Sequence, residues 1–139
     1  MKIIDLNNEL ITLAKEKGYE AVLSDYFQES YRTKNPVFVT ASNPAFTFGG
    51  GLDYAFTKHF PELCRFKKSK GGGNERISNV CFVITVGDDL QATKETVKSA
   101  IKFAIEHTGK DETLCLSGLG TKIGGLSLQE YFEILEELK

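Results

Sequence analysis

TASNPAFTFGGGLDY, residues 40–54, holds three consecutive glycines between two apolar segments. A short apolar run at residues 37–39 precedes it, and the apolar residues at 52–60 recur at helical spacing after it. This pattern predicts a strand, a glycine-rich loop and a helix in succession. Glycines let backbone N–H groups approach a ligand closely, and the start of a helix adds unpaired N–H donors and a positive dipole end. The loop therefore suits a ligand with phosphate or hydroxyl groups.

A second stretch repeats this layout near the end of the chain. Residues 113–117 predict a strand, residues 118–126 (GLGTKIGGL) are glycine-rich, and residues 127–139 predict a helix. That helix starts with the capping-box pattern of Ser127 and Glu130. Open α/β sheets bind ligands at the carboxyl ends of their strands. We therefore expect the two glycine loops to converge at one edge of one sheet.

The other segments alternate between strand and helix patterns. Strands are predicted at residues 20–23, 37–41 and 80–86. One helix is predicted at about residues 5–17, and a second begins at residue 52 and ends near residue 61 or 63. A third follows the turn at residues 87–89 and ends near residues 107–109. Residues 28–36 are predicted to form a loop or a short helical turn, and the basic, glycine-rich residues 65–78 an exposed, mobile loop. The alternation predicts a single α/β domain over residues 1–139, a three-layer α/β/α sandwich with a mostly parallel central sheet.

Composition and charge narrow the function classes. The hydrophobic content of 41% supports a proper core, and a formal net charge of -2 gives no general attraction to nucleic acid or membranes. The three cysteines, Cys64, Cys81 and Cys115, have no CxxC spacing and form no cluster with histidine, which predicts buried free thiols rather than zinc ligands. The N-terminus lacks a signal-peptide core and no apolar run reaches membrane-spanning length, so we expect a cytoplasmic monomer with no membrane partner.

The first glycine loop carries a resemblance to a known family. Residues 41–53, ASNPAFTFGGGLD, resemble the signature of macrodomains, in which an asparagine after small residues is followed by glycines, an apolar residue and an aspartate. The second loop is similar to the diphosphate-binding loop of that family, and the resemblance runs from about Glu20 to the C-terminus. Macrodomains bind ADP-ribose, and some hydrolyse bonds at its terminal ribose. The resemblance implies no cofactor and no metal.

The resemblance also implies roles for individual side chains. Asp25 would accept a hydrogen bond from the adenine amino group, and Tyr26 would lie beside it. Asn43 would contact the hydroxyl groups of the terminal ribose, and Phe46 and Phe48 would line the ribose pocket. Two of these residues have a simpler structural explanation, because Asp25 could be a turn or cap residue and Asn43 could stabilise a turn before proline.

Glycines and backbone amides would hold the rest of the ligand. Gly49, Gly50 and Gly51 would pack against the terminal ribose and the nearby phosphate. The diphosphate would be wrapped by backbone N–H groups of the second loop, at Gly120, Thr121, Lys122, Ile123, Gly124, Gly125 and Leu126. Backbone amides can bind an anion without a net positive charge on the protein.

Hydrolysis is a further expectation from the resemblance. In one hydrolytic branch the asparagine and the aspartate position ribose and water, and Asn43 and Asp53 keep that spacing. That branch often has a histidine where this chain has Thr57, and a branch with a lysine nucleophile has an acid where this chain has Gly124. Asp53 would also suit the first turn of a helix for electrostatic reasons alone. The enzyme version is an ADP-ribosyl hydrolase or an ADP-ribose-1''-phosphate phosphatase.

Two other classes of function stay open. One is a non-catalytic reader or sequestering protein for an ADP-ribose-like nucleotide signal or an ADP-ribosylated macromolecule. The other is a nucleotide-binding α/β domain outside the family. Against the latter, neither loop fits GxxxxGK[ST], and the first loop lacks GxGxxG spacing.

Overall fold

A computed structural model of the chain describes residues 1–48, 50–87, 89, 91–121 and 124–139. Within these residues the strands are β1 (Lys2–Asp5), β2 (Glu20–Leu23), β3 (Pro36–Ser42), β4 (Glu75–Ile77), β5 (Val80–Ile84) and β6 (Thr113–Leu116). The helices are α1 (Asn8–Glu16), α2 (Tyr26–Arg32), α3 (Gly51–His59), α4 (Pro61–Lys70), α5 (Lys94–Glu106) and α6 (Leu128–Glu137). The described part of the chain contains no helix with the length and apolarity needed to cross a bilayer.

The described strands form one mostly parallel sheet in the order β2-β1-β6-β3-β5-β4. Each neighbouring pair is parallel except β4 and β5, which are antiparallel. β6 therefore lies between β1 and β3, with Leu116 opposite Ile3 and Leu114 opposite Val37. The predicted α/β class with a mostly parallel sheet is confirmed, and the carboxyl ends of the five parallel strands share one edge.

Helices cover both faces of this sheet. Successive strand residues point to opposite faces, so Ile3 belongs to one hydrophobic cluster and Ile4 to the other. The first cluster contains buried residues of α1, α5 and α6, among them Leu10, Ile101 and Tyr131. The second contains buried residues of α2, α3 and α4. The sheet is consequently buried between two sets of three helices within the described residues.

The N-terminal prediction was partly wrong. Residues 2–5 form strand β1, and the helix predicted at 5–17 begins only at Asn8, with the Asn7 side chain as its N-cap. Ile3 and Ile4 are both fully buried, one on each face of the sheet. A two-residue apolar run is too short to distinguish a strand from the first turn of a helix by periodicity.

Two polar segments contain more regular structure than predicted: the first was expected to form a loop or a short helical turn, and the second a mobile loop. The polar residues 28–36 contain most of α2, which starts at Tyr26 behind the N-cap Asp25. The segment predicted as a mobile loop at 65–78 forms the end of α4 and strand β4. Its charged residues mostly lie on the outer side of a helix, where high polarity gives no sign of the order beneath. By contrast, the predicted capping box of Ser127 and Glu130 is confirmed.

Candidate functional site

The two glycine loops lie at the point in the sheet where the connections from neighbouring strands go to opposite faces. The first loop (residues 43–50) follows β3 and leads to α3, which packs on the face that holds the second cluster. The second loop (residues 118–126) follows β6 and leads to α6 on the opposite face. Because β3 and β6 are hydrogen-bonded neighbours, the loops leave adjacent strand ends in opposite directions. In open α/β sheets such a switch point is where ligands bind. The predicted convergence of the loops at one edge is confirmed.

Asn43 holds the turn of the first loop. Its Nδ2 donates to Thr47 Oγ1 at 2.8 Å, and its Oδ1 accepts from the Thr47 N–H at 3.3 Å. The Asn43 carbonyl accepts from the Phe46 N–H at 3.0 Å. The turn-stabilising role considered from the sequence is therefore present, and the Asn43 side chain is half-buried beside the exposed Thr47.

Phe46 and Phe48 support the first loop from below. Both have φ of 52°, a left-handed conformation that is uncommon for bulky residues. Phe46 is 0% and Phe48 is 4% exposed, and both rings pack against Phe82 of β5. The prediction that Phe46 lines a ribose pocket is wrong, because its ring is fully buried in the hydrophobic core. The corresponding prediction for the nearly buried Phe48 stays a prediction.

Two glycines connect the first loop to α3. Gly50 is the N-cap without a side-chain cap, and Gly51 has φ of 60°, where glycine is favoured. A Cβ atom at either position would meet no heavy atom within 4 Å. The space above this backbone is therefore open, as close approach of a ligand requires. Gly49, the third predicted glycine, lies outside the described residues.

Asp53 is a partly buried carboxyl group beneath the first loop. Its Oδ1 accepts a hydrogen bond from Thr40 Oγ1 at 2.7 Å. Burial raises the pKa of Asp53 to about 6, and the hydroxyl groups of Thr40 and Ser42 oppose that rise. Ser42 Oγ is buried without a hydrogen bond of normal geometry, so its influence is electrostatic. The site thus contains a carboxyl group that titrates near neutral pH, where a general base is most effective.

The second loop is anchored by the N-terminal strand. Asp5, 6% exposed at the end of β1, accepts a hydrogen bond from the Gly118 N–H at 3.0 Å through Oδ2. Tyr131 donates its hydroxyl proton to Ser117 O at 2.7 Å. Thr121 Oγ1 donates to Gly118 O at 2.6 Å and closes the first turn of the loop. Buried groups on β1 and on α6 therefore hold its conformation.

Tight packing explains the glycines of the second loop. A Cβ atom on Gly118 would lie 2.4 Å from Leu10 Cδ1, and one on Gly124 would lie 2.7 Å from the Ala92 Cβ. Gly120 and Gly125 have φ of 79° and 78°. The N–H groups of Gly124 and Gly125 make no hydrogen bond to other described residues, which leaves donors for an anion. Lys122 and Ile123 lie outside the described residues.

Replacing Gly118 with alanine is expected to lower the free energy of unfolding by about 1–3 kcal/mol, because the added methyl group overlaps Leu10 and Thr121. Urea denaturation measures the change. The matched control is Gly73→Ala, since a Cβ at Gly73 meets nothing within 4 Å. Equal stability of the two variants would contradict the packing described for the second loop.

Asp25 and its neighbour Tyr26 have different environments. Asp25 is exposed at the end of β2, and its Oδ2 accepts from the Gln28 N–H at 2.9 Å as the N-cap of α2. Tyr26 is 4% exposed, and its hydroxyl donates to Cys115 O and accepts from the Val39 N–H. The predicted position of Tyr26 beside a ligand is therefore wrong, because its side chain is a core residue.

The strand order arranges the candidate groups along one edge. Asp25 follows β2, Asp5 follows β1, the second loop follows β6 and the first loop follows β3, and these four strands are successive neighbours. Asp5 is the residue that sequence reasoning missed, since it was assigned to a helix. The available signal was Asn7, a good N-cap residue, which would have started the helix later and left residues 2–5 as a strand.

The described His, Cys, Asp and Glu side chains form no cluster that could hold a metal ion. Cys64, Cys81 and Cys115 are buried free thiols, as predicted. Burial raises the pKa of both Cys64 and Cys81 to about 11, so neither is a reactive thiolate at neutral pH.

Comparisons with known proteins give no family assignment. No protein-family model matches the chain, and no curated protein matches it. The function has to be inferred from the two loops, the buried carboxyl group and the order of the strands.

Proposed function

We propose that this protein is a macrodomain-like three-layer α/β/α sandwich that binds ADP-ribose or an ADP-ribosyl group at the edge formed by the two glycine loops. The observation that carries the proposal is the order of groups along that edge. From Asp25 through the second loop to the first loop, the order is a carboxylate, a set of backbone N–H donors and an open glycine backbone. ADP-ribose presents an adenine, a diphosphate and a terminal ribose in the same order.

The spacing of these groups also supports the proposal. β2 and β3 are three strand steps apart, which is about 14 Å at the usual spacing of about 4.8 Å. The ligand would extend across the strand ends, with its adenine amino group donating to Asp25. The diphosphate would accept hydrogen bonds from the N–H groups of Gly124 and Gly125, which have no acceptor among the described residues. The terminal ribose would lie over Gly50 and Gly51, where no side chain intervenes.

A hydrolytic version of the proposal depends on Asp53. A carboxylate with a pKa of about 6 can accept a proton from water near neutral pH. Asn43 and Thr47 stand at the other end of the first loop and would orient the ribose hydroxyl groups. The substrate would be a mono-ADP-ribosyl group or ADP-ribose-1''-phosphate. The alternative is a reader or sequestering protein for an ADP-ribosylated macromolecule, which would use the same groups without turnover.

Calorimetric titration with ADP-ribose, and with ADP and AMP alongside, tests the proposal. We expect micromolar binding of ADP-ribose and much weaker binding of AMP, because AMP reaches neither the first loop nor all of the second. An absence of heat and of thermal stabilisation with all three ligands would overturn the proposal.

Replacing Asp25 with serine should weaken ADP-ribose binding by about 10- to 100-fold, which corresponds to a hydrogen bond with a charged group of about 1.5–3 kcal/mol. Serine preserves the N-cap of α2 because its hydroxyl can still accept from the Gln28 N–H. Alanine at the same position removes both the proposed hydrogen bond to adenine and the N-cap, and it serves as the comparison. If Asp25→Ser binds as well as the unaltered protein while Asp25→Ala is merely less stable, Asp25 is only a helix cap.

A further inference from the structure

A cleft of about 260 Å³ opens beside the first loop, on the side formed by α3 and α4. Its apolar floor comes from Phe48, Pro61 and Cys64. Its polar lining comes from two hydroxyl groups and two cations, those of Thr47, Thr57, Arg65 and Lys68. We call this feature the basic cleft. Thr47 is shared with the proposed ADP-ribose site, but Arg65 and Lys68 have no part in that site, so these two cations need a separate explanation.

The charge around the basic cleft differs from that of the whole chain. Residues 54–70 contain five basic residues and one acidic residue, whereas the chain has a net charge of -2. Two of the five, Lys67 and Lys70, are bonded to Glu75. The other three cations, Lys58, Arg65 and Lys68, are exposed and form no salt bridge with any described residue. Their unbalanced charge favours an anionic ligand at this place.

Two of these three cations, Arg65 and Lys68, line the cleft, and Lys58 lies on the neighbouring helix α3. Arg65 and Lys68 are three residues apart on α4 and therefore share a helix face. On α3, Tyr54 precedes Thr57 by three residues and Lys58 by four, so these residues also share a face. The Tyr54 ring is half exposed, and Lys58 Nζ lies 5.5 Å from the ring centroid. Cations thus flank the cleft, and an exposed aromatic ring lies beside them.

Thr47 adds a hydrogen-bond donor to the lining. Its Oγ1 accepts from Asn43 Nδ2, which leaves the hydroxyl proton of Thr47 free to donate into the cleft. Thr57 differs, because its hydroxyl already donates to Tyr54 O at 2.6 Å. A phosphate oxygen could therefore accept from Arg65, Lys68 and Thr47 together.

We propose that the basic cleft binds single-stranded nucleic acid, with backbone phosphates at Arg65 and Lys68 and a base stacked on Tyr54. Phosphates recur along a strand together with planar bases, and this combination matches cations beside an exposed aromatic ring. An acidic peptide supplies the charge but no ring of this kind. The net negative charge does not prevent binding, because distant charges are screened over about 8–10 Å at physiological salt. The proposal does not rest on ADP-ribose binding.

Fluorescence anisotropy with a labelled 12-nucleotide oligothymidylate tests this site. We expect binding that weakens with salt, with log K falling by about 1.4 per tenfold rise in salt, since each of the two phosphates at Arg65 and Lys68 contributes about 0.7. Arg65→Glu with Lys68→Glu should weaken binding more than tenfold, and Tyr54→Ala should weaken it about fivefold or more. Arg65→Gln with Lys68→Gln is the milder version and should show a smaller loss.

Matched controls separate a local site from a general charge effect. Lys15→Glu with Lys34→Glu makes the same charge change at exposed residues away from the cleft and should leave oligonucleotide binding within about twofold. Phe66→Ala removes an aromatic ring that is about as exposed as that of Tyr54. The cation beside Phe66 is Lys70, which is paired with Glu75, so this variant should also have little effect on binding.

Any of three results would overturn the proposal. The first is that the protein does not bind the oligonucleotide at low salt, and the second is that the cleft variants and the control variants lose the same amount of affinity. The third is that polyglutamate of the same length binds as tightly as the oligonucleotide. ADP-ribose titration of the Arg65→Glu, Lys68→Glu variant should match that of the unaltered protein. A failure of the basic cleft and a failure of the proposed ADP-ribose site are therefore distinguishable.

Discussion

Replacing Lys67 with methionine is expected to lower the free energy of unfolding by about 3 kcal/mol, the low end of the cost of breaking a buried ion pair, because the Glu75 partner is 26% exposed. The Lys67 side chain is 1% exposed, and its Nζ donates to Gly71 O at 2.9 Å, Gly73 O at 2.8 Å and Glu75 Oε1 at 2.9 Å. Methionine has a similar length and no charge, so it leaves three acceptors without their donor.

The same ammonium group also contacts the first loop. Lys67 Nζ lies 4.8 Å from the centroid of the fully buried Phe46 ring, a distance typical of a cation–π contact. Lys67 thus connects the end of α4 and the start of β4 to the loop that carries Asn43. Its loss should loosen that loop as well as the glycine turn at residues 71–73.

Thermal and urea denaturation of Lys67→Met and Lys68→Met measure the effect. Lys68 is the adjacent residue on the same helix, exposed and without a salt bridge among the described residues, so its replacement should change stability by less than about 0.5 kcal/mol. A second variant, Glu75→Gln, keeps both carbonyl acceptors and should cost less than Lys67→Met. Similar losses in the Lys67 and Lys68 variants would refute the buried role of Lys67.

Replacing Asp53 with asparagine is expected to stabilise the protein at pH 7.5 by about 2–3 kcal/mol. The pKa of Asp53 is raised to about 6 in the folded protein from its ordinary value of 3.8, mainly by burial. Between these two values the folded protein binds a proton that the unfolded chain releases. The free energy of unfolding therefore falls as the pH rises from about 4 to 6, and the full penalty is present above pH 6. Asparagine avoids this penalty and can still accept from Thr40.

Urea denaturation of both proteins at pH 4 and pH 7.5 checks the sign. The stability difference should be small at pH 4 and large at pH 7.5, whereas Asp111→Asn, at an exposed aspartate, should show little difference at either pH. A difference that does not change with pH would contradict the raised pKa.

The same variant separates the two forms of the proposed function, because a hydrolase should lose turnover in Asp53→Asn and still bind ADP-ribose. A reader should show no turnover in either protein.

A destabilising carboxyl group at this position is informative in itself. The protein would be more stable with asparagine at residue 53, yet it carries a group whose charged form is disfavoured by burial. Groups of this kind cluster at functional sites, where stability is reduced in exchange for reactivity or binding. This supports the proposal that Asp53 contributes chemistry as well as a favourable interaction with the helix dipole.

The sequence allowed the main elements of the site to be predicted because they are local. The continuous apolar run that starts at Val80 indicates a strand covered on both faces, and β5 is that strand. Glycine-rich segments after β3 and β6 indicate loops, and the parallel sheet brings them to one edge. Both inferences need only neighbouring residues and the general geometry of α/β sheets.

Long-range partners explain what the sequence did not reveal. Asp5 accepts a hydrogen bond from Gly118, 113 residues away, so no local pattern announces its role. Lys67 looks like a surface lysine until the carbonyl groups of the glycine turn surround it. Tyr26 next to an exposed Asp25 looks accessible, but the first turn of α2 directs it to Cys115 and Val39 in the core.

The central position of β6 has a consequence for synthesis. β1 pairs with β2, β3 pairs with β5, and among the described strands only β6 joins these two groups. The inner edges of these two groups, on β1 and β3, therefore depend on the same strand, which is the last to be synthesised. Closure requires contacts across most of the sequence, which slows folding. A chain that terminates before Leu116 should bind no ligand at this edge, because it lacks the second glycine loop and an intact strand to place that loop beside the first.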